Sequence, residues 1–190
     1  MGESGTNIVV RLAESGARFA VPSTINAISY DRCGKTSSEP SEHDRYQRTM
    51  LDACVAMGAL ASCSCNPFIQ GIWPTFNESV AWSESATAPF VNSVIGARTN
   101  REGATAFASA LTGLTPRYGM HLDRARQGQC LFEIDATVKG LDGYNLLGAL
   151  VARRSSGRIP VLTGMARPEL HEMIGFGASA AIVSNLTLFR

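Results

Sequence analysis

No apolar run in this chain approaches the roughly 20 residues that a membrane-spanning helix requires, so a transmembrane anchor is not expected. Neither sign of charge predominates. The 17 Lys plus Arg against 16 Asp plus Glu give a formal net charge of +1, which removes the electrostatic footing of a nucleic-acid partner. The cysteines do not make an even set: Cys33, Cys54, Cys63, Cys65 and Cys130 are five, which argues against the disulfide framework of a secreted domain and fits a reducing compartment. The first residues lack the basic start and apolar core of a signal peptide, so the expected location is the cytoplasm. No G-x-G-x-x-G or P-loop spacing follows any candidate strand, which disfavours a generic nucleotide binder. Internal repeats and low-complexity tracts are also missing.

What is there is the composition of a soluble globular chain, 45% hydrophobic and long enough at 190 residues to bury a core as one domain or most of one. The hydrophobic pattern alternates between helix and strand periods. Ile8 to Ser15 is expected as a helix ending at Gly16, and Arg18 to Val21 as a short buried strand before the Pro22 loop. His43 to Met57 is expected as a helix with Tyr46, Met50, Leu51, Cys54 and Met57 on one face and Gly58 as its stop. Asp31 to Ser41 is polar and irregular, a surface loop. Thr105 to Leu111 is expected as a short helix. In the last third, strands at Leu131 to Val138, Ile159 to Leu162 and Ala180 to Val183 alternate with helices at Asn145 to Ala152 and Pro168 to Ile174, a pattern that predicts an α/β fold with a parallel sheet.

The segment from Val80 to Gly103 crowds two acids, two arginines and two amides into a mostly apolar span. Ser83 or Ser85 is placed to cap a helix with Glu84 in its first turn, Ala88, Val91, Val94 and Ile95 recur as its core-facing stripe, and Gly96 is its stop. Arg98 and Arg101 follow at once, and a guanidinium fork suits a carboxylate or phosphate. Equally, these two arginines have an ordinary structural use as ion-pair partners of Glu84, Glu102 or Glu78.

Residues 81–103, AWSESATAPFVNSVIGARTNREG, resemble the signature of the aconitase X family, a run of the type G-E-x-x-A-W-x-E-S-x-A-V-x-x-A-N-S-V-L-G-A-R-T-N-R-E-G. The likeness extends to Gly16-Ala17-Arg18, to Val21-Pro22-Ser23-Thr24-Ile25-Asn26-Ala27, to Cys65-Asn66-Pro67-Phe68, and to Leu111 through Gly119 followed by His121-Leu122-Asp123 and Arg126. Nearly the whole chain falls inside it. The resemblance implies an aconitase-like three-layer α/β fold with a mostly parallel sheet, and residues 1–190 as a partial catalytic domain with no second domain in this chain. It also implies dehydration of a small hydroxy acid, cis-3-hydroxy-L-proline or mevalonate 5-phosphate, by an iron-sulfur cluster whose open iron acts as a Lewis acid.

The resemblance carries roles onto individual residues. Cys65 is the matching cluster ligand, whereas Cys63 has no counterpart, and Cys54, Cys33 and Cys130 read as a buried helix residue, a loop thiol and a strand residue. Arg98 and Arg101 are the candidate carboxylate clamp or its support, with Asn92, Ser93 and Asn100 as polar positioners and Ser23, Thr24 and Asn26 lining the same pocket. Glu84 and Ser85 are the candidate catalytic pair; Glu84 serves as acid or base, or orients an arginine that in turn keeps it ionised. Departures from the pattern are Phe68 for tyrosine, Asn77 for the glycine before Glu78, Leu114 for arginine, and Thr87-Ala88-Pro89 inside the helix. Both flanks of the family's catalytic region, its further cluster cysteines and its small swivelling subunit are expected to lie outside this chain, and Cys65 alone cannot hold a cluster. Two readings follow: a hydro-lyase part completed by other segments, or a non-catalytic α/β module that keeps an anion pocket.

Overall fold

The structure, a computed structural model, describes residues 3–26 and 41–190. Cys33 and nearly all of the expected Asp31 to Ser41 loop lie outside the described residues. The chain forms two compact units, one of Met1–Gly71 with Phe107–Leu114 and one of Ile72–Ala106 with Thr115–Arg190.

In the first unit α1 (Glu3–Glu14) packs on α2 (Glu42–Ala56). Helix α2 starts where a capping box satisfies its first donors. The Ser41 hydroxyl accepts from the Asp44 amide at 3.2 Å, while the Asp44 carboxylate accepts from the Ser41 amide at 2.9 Å. The expected stripe is buried at Met50, Leu51, Cys54 and Met57, and Tyr46 is half-buried. Val9 from α1, Met50, Ala53, Cys54, Met57 and Ala59 form the core, with Phe19 and Phe107, the latter from α4 (Thr105–Thr112), in an edge-on ring contact at 5.6 Å. Each large side chain so buried contributes on the order of 1.5–3 kcal/mol. The expected strand at Arg18 to Val21 does not form. The Phe19 amide instead donates to the Met57 carbonyl and the Ala20 amide to the Ala110 carbonyl, so these residues spend their donors on helix ends rather than on a ladder. A parallel bridge joins Thr24 to Leu60.

The second unit contains a parallel pair, β1 (Cys130–Glu133) and β2 (Pro160–Thr163), joined by α5 (Gly140–Ser155) and followed by α6 (Leu170–Ser184). This is an α/β arrangement. Phe132 and Leu162 join a core made by Tyr144, Val151, Ala152, Phe176, Ala180, Leu186 and Phe189, so the helices cover one face of the sheet. Helices α5 and α6 meet closely at Gly148, where an added Cβ would lie 2.3 Å from the Phe176 carbonyl oxygen.

The strand expected at Ala180 to Val183 is instead the last turn of α6. Small residues explain the difference: Ala180 and Ala181 are buried, while Ile182 is 79% exposed, so the run has a helical face rather than two buried strand faces. Asn185 ends the helix with φ 55°. The chain then returns to the sheet, and Arg190 donates to the Pro160 carbonyl at 2.9 Å and accepts from the Leu162 amide at 2.6 Å, as a parallel neighbour of β2 would.

The helix expected from Ser83 or Ser85 begins later, as α3 (Ala88–Phe90), and widens at once into a single π turn over Val91–Ile95. Pro89 sits in the first turn, where its missing donor is harmless, and the Glu84 carbonyl accepts from the Thr87 and Ala88 amides. Widening shifts the buried stripe. Ala88 and Val91 are inside as expected, but Val94 turns outward and Asn92 takes the interior at 2% exposure. Gly96 closes the turn with φ 80°.

Candidate functional site

Within the second unit, the turn Arg98-Thr99-Asn100-Arg101-Glu102 folds around the carboxylate of Glu102, whose side chain is 2% exposed. Oε1 accepts from the Asn100 amide at 3.0 Å and from Nε2 of His121 at 2.8 Å; Oε2 accepts from the Trp82 amide at 3.0 Å and from the Thr99 hydroxyl. Four donors on one carboxylate leave neither oxygen unpaired. With Oε1 of Glu102 as the acceptor of that bond, Nε2 of His121 is its donor. The other ring nitrogen, Nδ1, lies 3.1 Å from the hydroxyl oxygen of Ser79, which is exposed.

Arg98 is braced from three sides. Its Nε donates to the Asn77 side-chain oxygen, Nη1 to the His121 carbonyl at 2.9 Å, and Nη2 to the Asp123 carboxylate. The ion pair is thus with Asp123 and with none of Glu78, Glu84 or Glu102. The hydrogen-bonded Arg98 guanidinium, and its charge, hold the exposed Asp123 carboxyl below the usual carboxylate range. Asn77 stands where the family signature has glycine. It adopts the left-handed φ of 67° that glycine would supply and uses its side chain to hold Arg98. Glu78 serves a turn, accepting from the Thr75 amide at 2.7 Å and the Thr75 hydroxyl at 2.9 Å.

Asn92 links this turn to the sheet end of the unit. Its side-chain nitrogen donates to the Thr99 carbonyl at 2.9 Å and the Thr187 carbonyl at 2.8 Å; its oxygen accepts from the Thr99 amide at 3.1 Å and from Nη1 of Arg126 at 2.8 Å. Burial pushes the Arg126 guanidinium down from its ordinary range, and Arg98 and Arg190 act in the same sense while Asp123 opposes. Asn100 reaches the other way, donating to the Tyr118 carbonyl at 3.1 Å and accepting from the Met120 amide at 2.6 Å. Gly119 is required there: with φ 54°, a Cβ would stand 2.2 Å from the Asn100 oxygen. Ser93 accepts from the Phe189 amide at 2.8 Å. Arg101 is a non-glycine residue at φ 65°, and its Nη1 donates to the Asn185 oxygen at 3.1 Å. Glu84 is half-buried and Ser85 exposed, just ahead of α3. An open cleft of about 460 Å³, lined by Arg117, His121, Leu122, Asp123 and Arg124, borders the same histidine.

Ser23, Thr24, Asn26 and Cys65 belong to the first unit. There the Ser23 carbonyl accepts from the Leu60 amide at 2.8 Å and the Ile25 carbonyl from the Cys63 amide at 2.9 Å, so this loop is tied to the segment entering Cys65. Cys65 is half-buried, and its sulfur accepts from the Asn66 side chain at 3.6 Å. Cys63, at φ 48°, makes the turn before it. None of Cys54, Cys63, Cys65 and Cys130 is in a disulfide, and among the described residues no three His, Cys, Asp or Glu side chains are grouped to hold a metal. The described residues therefore do not by themselves fit a cluster. Cys54 and Cys130 are a core residue and the first residue of β1, as expected.

Sequence reasoning gave no role to Glu102 beyond ion pairing, and none to His121, Arg126 or Ser79. The first three stand inside the quoted resemblance, but nothing in their spacing places one carboxylate against one imidazole 19 positions away.

Comparison with known proteins agrees with the signature. The family model described as the aconitase X first domain matches residues 1–124. The phosphomevalonate dehydratase large subunit of Methanothermobacter thermautotrophicus is 32% identical over 192 residues, covering 100% of this chain and 48% of that protein. The cis-3-hydroxy-L-proline dehydratase of Pseudomonas aeruginosa is 33% identical over 194 residues, covering 100% of this chain and 33% of that protein. The crystal structure of Thermococcus kodakaraensis aconitase X in its holo-form superposes with a TM-score of 0.83 at 31% identity, covering 99% of this chain and 47% of that one. The chain thus spans about half the length of the large subunits it matches.

Proposed function

The chain belongs to the aconitase X family, and from that membership we propose that residues 1–190 form part of the catalytic region of a hydro-lyase removing water from a small hydroxy acid such as cis-3-hydroxy-L-proline. Mevalonate 5-phosphate is the second candidate, because the relatives covered most fully are phosphomevalonate dehydratase large subunits. The observation that carries the reading is the buried Glu102 turn, which sets Arg98, Asn100 and Arg101 in one rigid frame with Asn92 bonded to it at Thr99. Arg98 spends its fork on Asn77, His121 and Asp123 and acts as a brace. Among the described residues the Arg101 side chain makes one bond, to Asn185, and with its other donors it is the group that takes the substrate carboxylate. Asn92, Asn100 and Ser93 position that frame, and Glu84 and Ser85 are the candidates for proton transfer next to the carboxylate. Ser23, Thr24 and Asn26, in the first unit, are carried over from the family resemblance alone as substrate-binding candidates.

An iron-sulfur cluster would supply Lewis acidity at the leaving hydroxyl, with Cys65 as one of its ligands. The remaining ligands come from segments beyond these residues, so no step is assigned to a cluster on this chain. The partners are the rest of the large chain and a small swivelling subunit, as the naming of the relatives as large subunits suggests. Anaerobic reconstitution with iron and sulfide, with those segments supplied from a relative, tests the reading by absorbance and by dehydration of each substrate. Turnover that Arg101→Lys weakens mainly through KM supports it. A reconstituted assembly that binds a cluster yet dehydrates neither substrate leaves the non-catalytic module.

A further inference from the structure

Ser79, His121 and Glu102 form a continuous polar line, of which the proposed dehydration uses only Glu102, as the centre of the arginine-bearing turn. Glu102 is buried with both oxygens occupied, His121 is 8% exposed with Nε2 on Glu102, and Nδ1 of His121 faces an exposed serine hydroxyl at 3.1 Å. Neither end is free to drift. Ser79 pairs as a parallel bridge with Arg98, whose amide donates to the Glu78 carbonyl at 2.8 Å and whose carbonyl accepts from the Val80 amide at 2.9 Å. The histidine backbone is held by Arg98 through its carbonyl.

We propose that Ser79 is a nucleophile activated by the His121–Glu102 pair, forming a cluster-independent site for an activated ester. The order of groups is that of a nucleophile, a base and a group that orients the base. The buried carboxylate fixes the proton on Nε2, which leaves Nδ1 as the acceptor for the serine proton and stabilises the imidazolium that results. In the acyl step a bond forms between the Ser79 oxygen and the ester carbonyl carbon, and the serine proton passes to Nδ1. The carbon to alkoxide bond then breaks, and the leaving alcohol takes that proton. Water releases the acyl group as a carboxylic acid by the same route and restores the hydroxyl. Unlike the dehydration, this needs no residue of the first unit.

The test is covalent labelling of the folded chain with a fluorophosphonate, in which the Ser79 oxygen bonds to phosphorus and fluoride leaves, followed by peptide mapping by mass spectrometry. Labelling at Ser79 is expected, with loss of reactivity when the chain is first unfolded in urea. In His121→Asn, checked for folding by circular dichroism, labelling slows by about 100-fold, the scale of a lost general base. An unlabelled Ser79 in the folded chain overturns the proposal, as does labelling that is equally fast after unfolding. The comparison of folded with unfolded wild-type chain decides the matter even where the His121 variant does not fold. Dehydratase activity plays no part in this readout, so either proposal can fail without the other.

Discussion

Replacing Glu102 by alanine tests whether the arginine-bearing turn is held from within. The carboxylate accepts from the amides of Trp82 and Asn100, from the Thr99 hydroxyl and from His121, and the side chain is 2% exposed, so water does not readily take its place. The Trp82 amide keeps a second acceptor in the Thr99 hydroxyl oxygen at 3.2 Å, and the Thr99 hydroxyl can rotate. The Asn100 amide and the His121 ring have no such recourse at these atoms. A buried donor left unpaired costs about 1–3 kcal/mol. Two of them, with a weakened Trp82 bond, amount to about 3–5 kcal/mol. Glu102→Gln keeps one acceptor but turns an NH₂ toward two donors, and its expected cost is about 2–3 kcal/mol. Urea unfolding followed by tryptophan fluorescence reads the right part of the molecule, because both tryptophans, Trp73 and Trp82, lie in the second unit. By melting temperature the alanine variant falls by roughly 6–20 °C, taking about 2–4 °C per kcal/mol at this chain length. A change below about 1 kcal/mol in Glu102→Ala would refute the account of the carboxylate as the centre of this turn.

Other outcomes follow from the same geometry. Gly148→Ala places a methyl against the Phe176 backbone and forces α5 from α6, costing about 2–3 kcal/mol in the same unfolding measurement, whereas Gly157→Ala meets no atom within 4 Å and loses only what its φ of 80° exacts. The Asp123 carboxyl titrates below its ordinary 3.8, by NMR, and in Arg98→Gln its midpoint returns toward that value. With a lowered folded pKa, the contribution of this pair is present above the unfolded value and is lost as pH falls through the folded one. Burial pushes the Cys54 thiol from 9.0 up to about 11, so its share of stability is full below pH 9 and is lost as pH rises toward about 11. At pH 8, alkylation followed by mass spectrometry is expected to modify Cys54 only after unfolding, while the half-buried Cys63 and Cys65 react in the folded chain.

The helices were legible in the sequence because their cues are local. Ser41 and Asp44 cap α2 by their own side chains, Gly58 ends it, and Met50, Cys54 and Met57 repeat at the helical period. Cues failed where a neighbour outweighed them. The Ala180 to Val183 run has strand-like residues at its end, yet the small residues of α6 fit against α5 and the helix continues through them. The onset of α3 was misplaced because a serine-rich turn and a proline-containing first turn carry the same capping signals. The π turn that moves Asn92 inward has no sequence mark at all.

By itself the sequence determined the family, since residues 81–103 and their flanking matches are a spelling that composition and periodicity cannot imitate, and it pointed to Arg98, Arg101 and Cys65. Only the tertiary structure decided how the two arginines differ. The partners of Arg98 come from positions 77, 121 and 123 and that of Arg101 from position 185, distances along the chain over which local pattern carries no information. The same holds for Glu102, which reads in sequence as one of three possible ion-pair partners for those arginines. It becomes the centre of the turn because folding surrounds it with four donors, and burial makes each of those bonds matter.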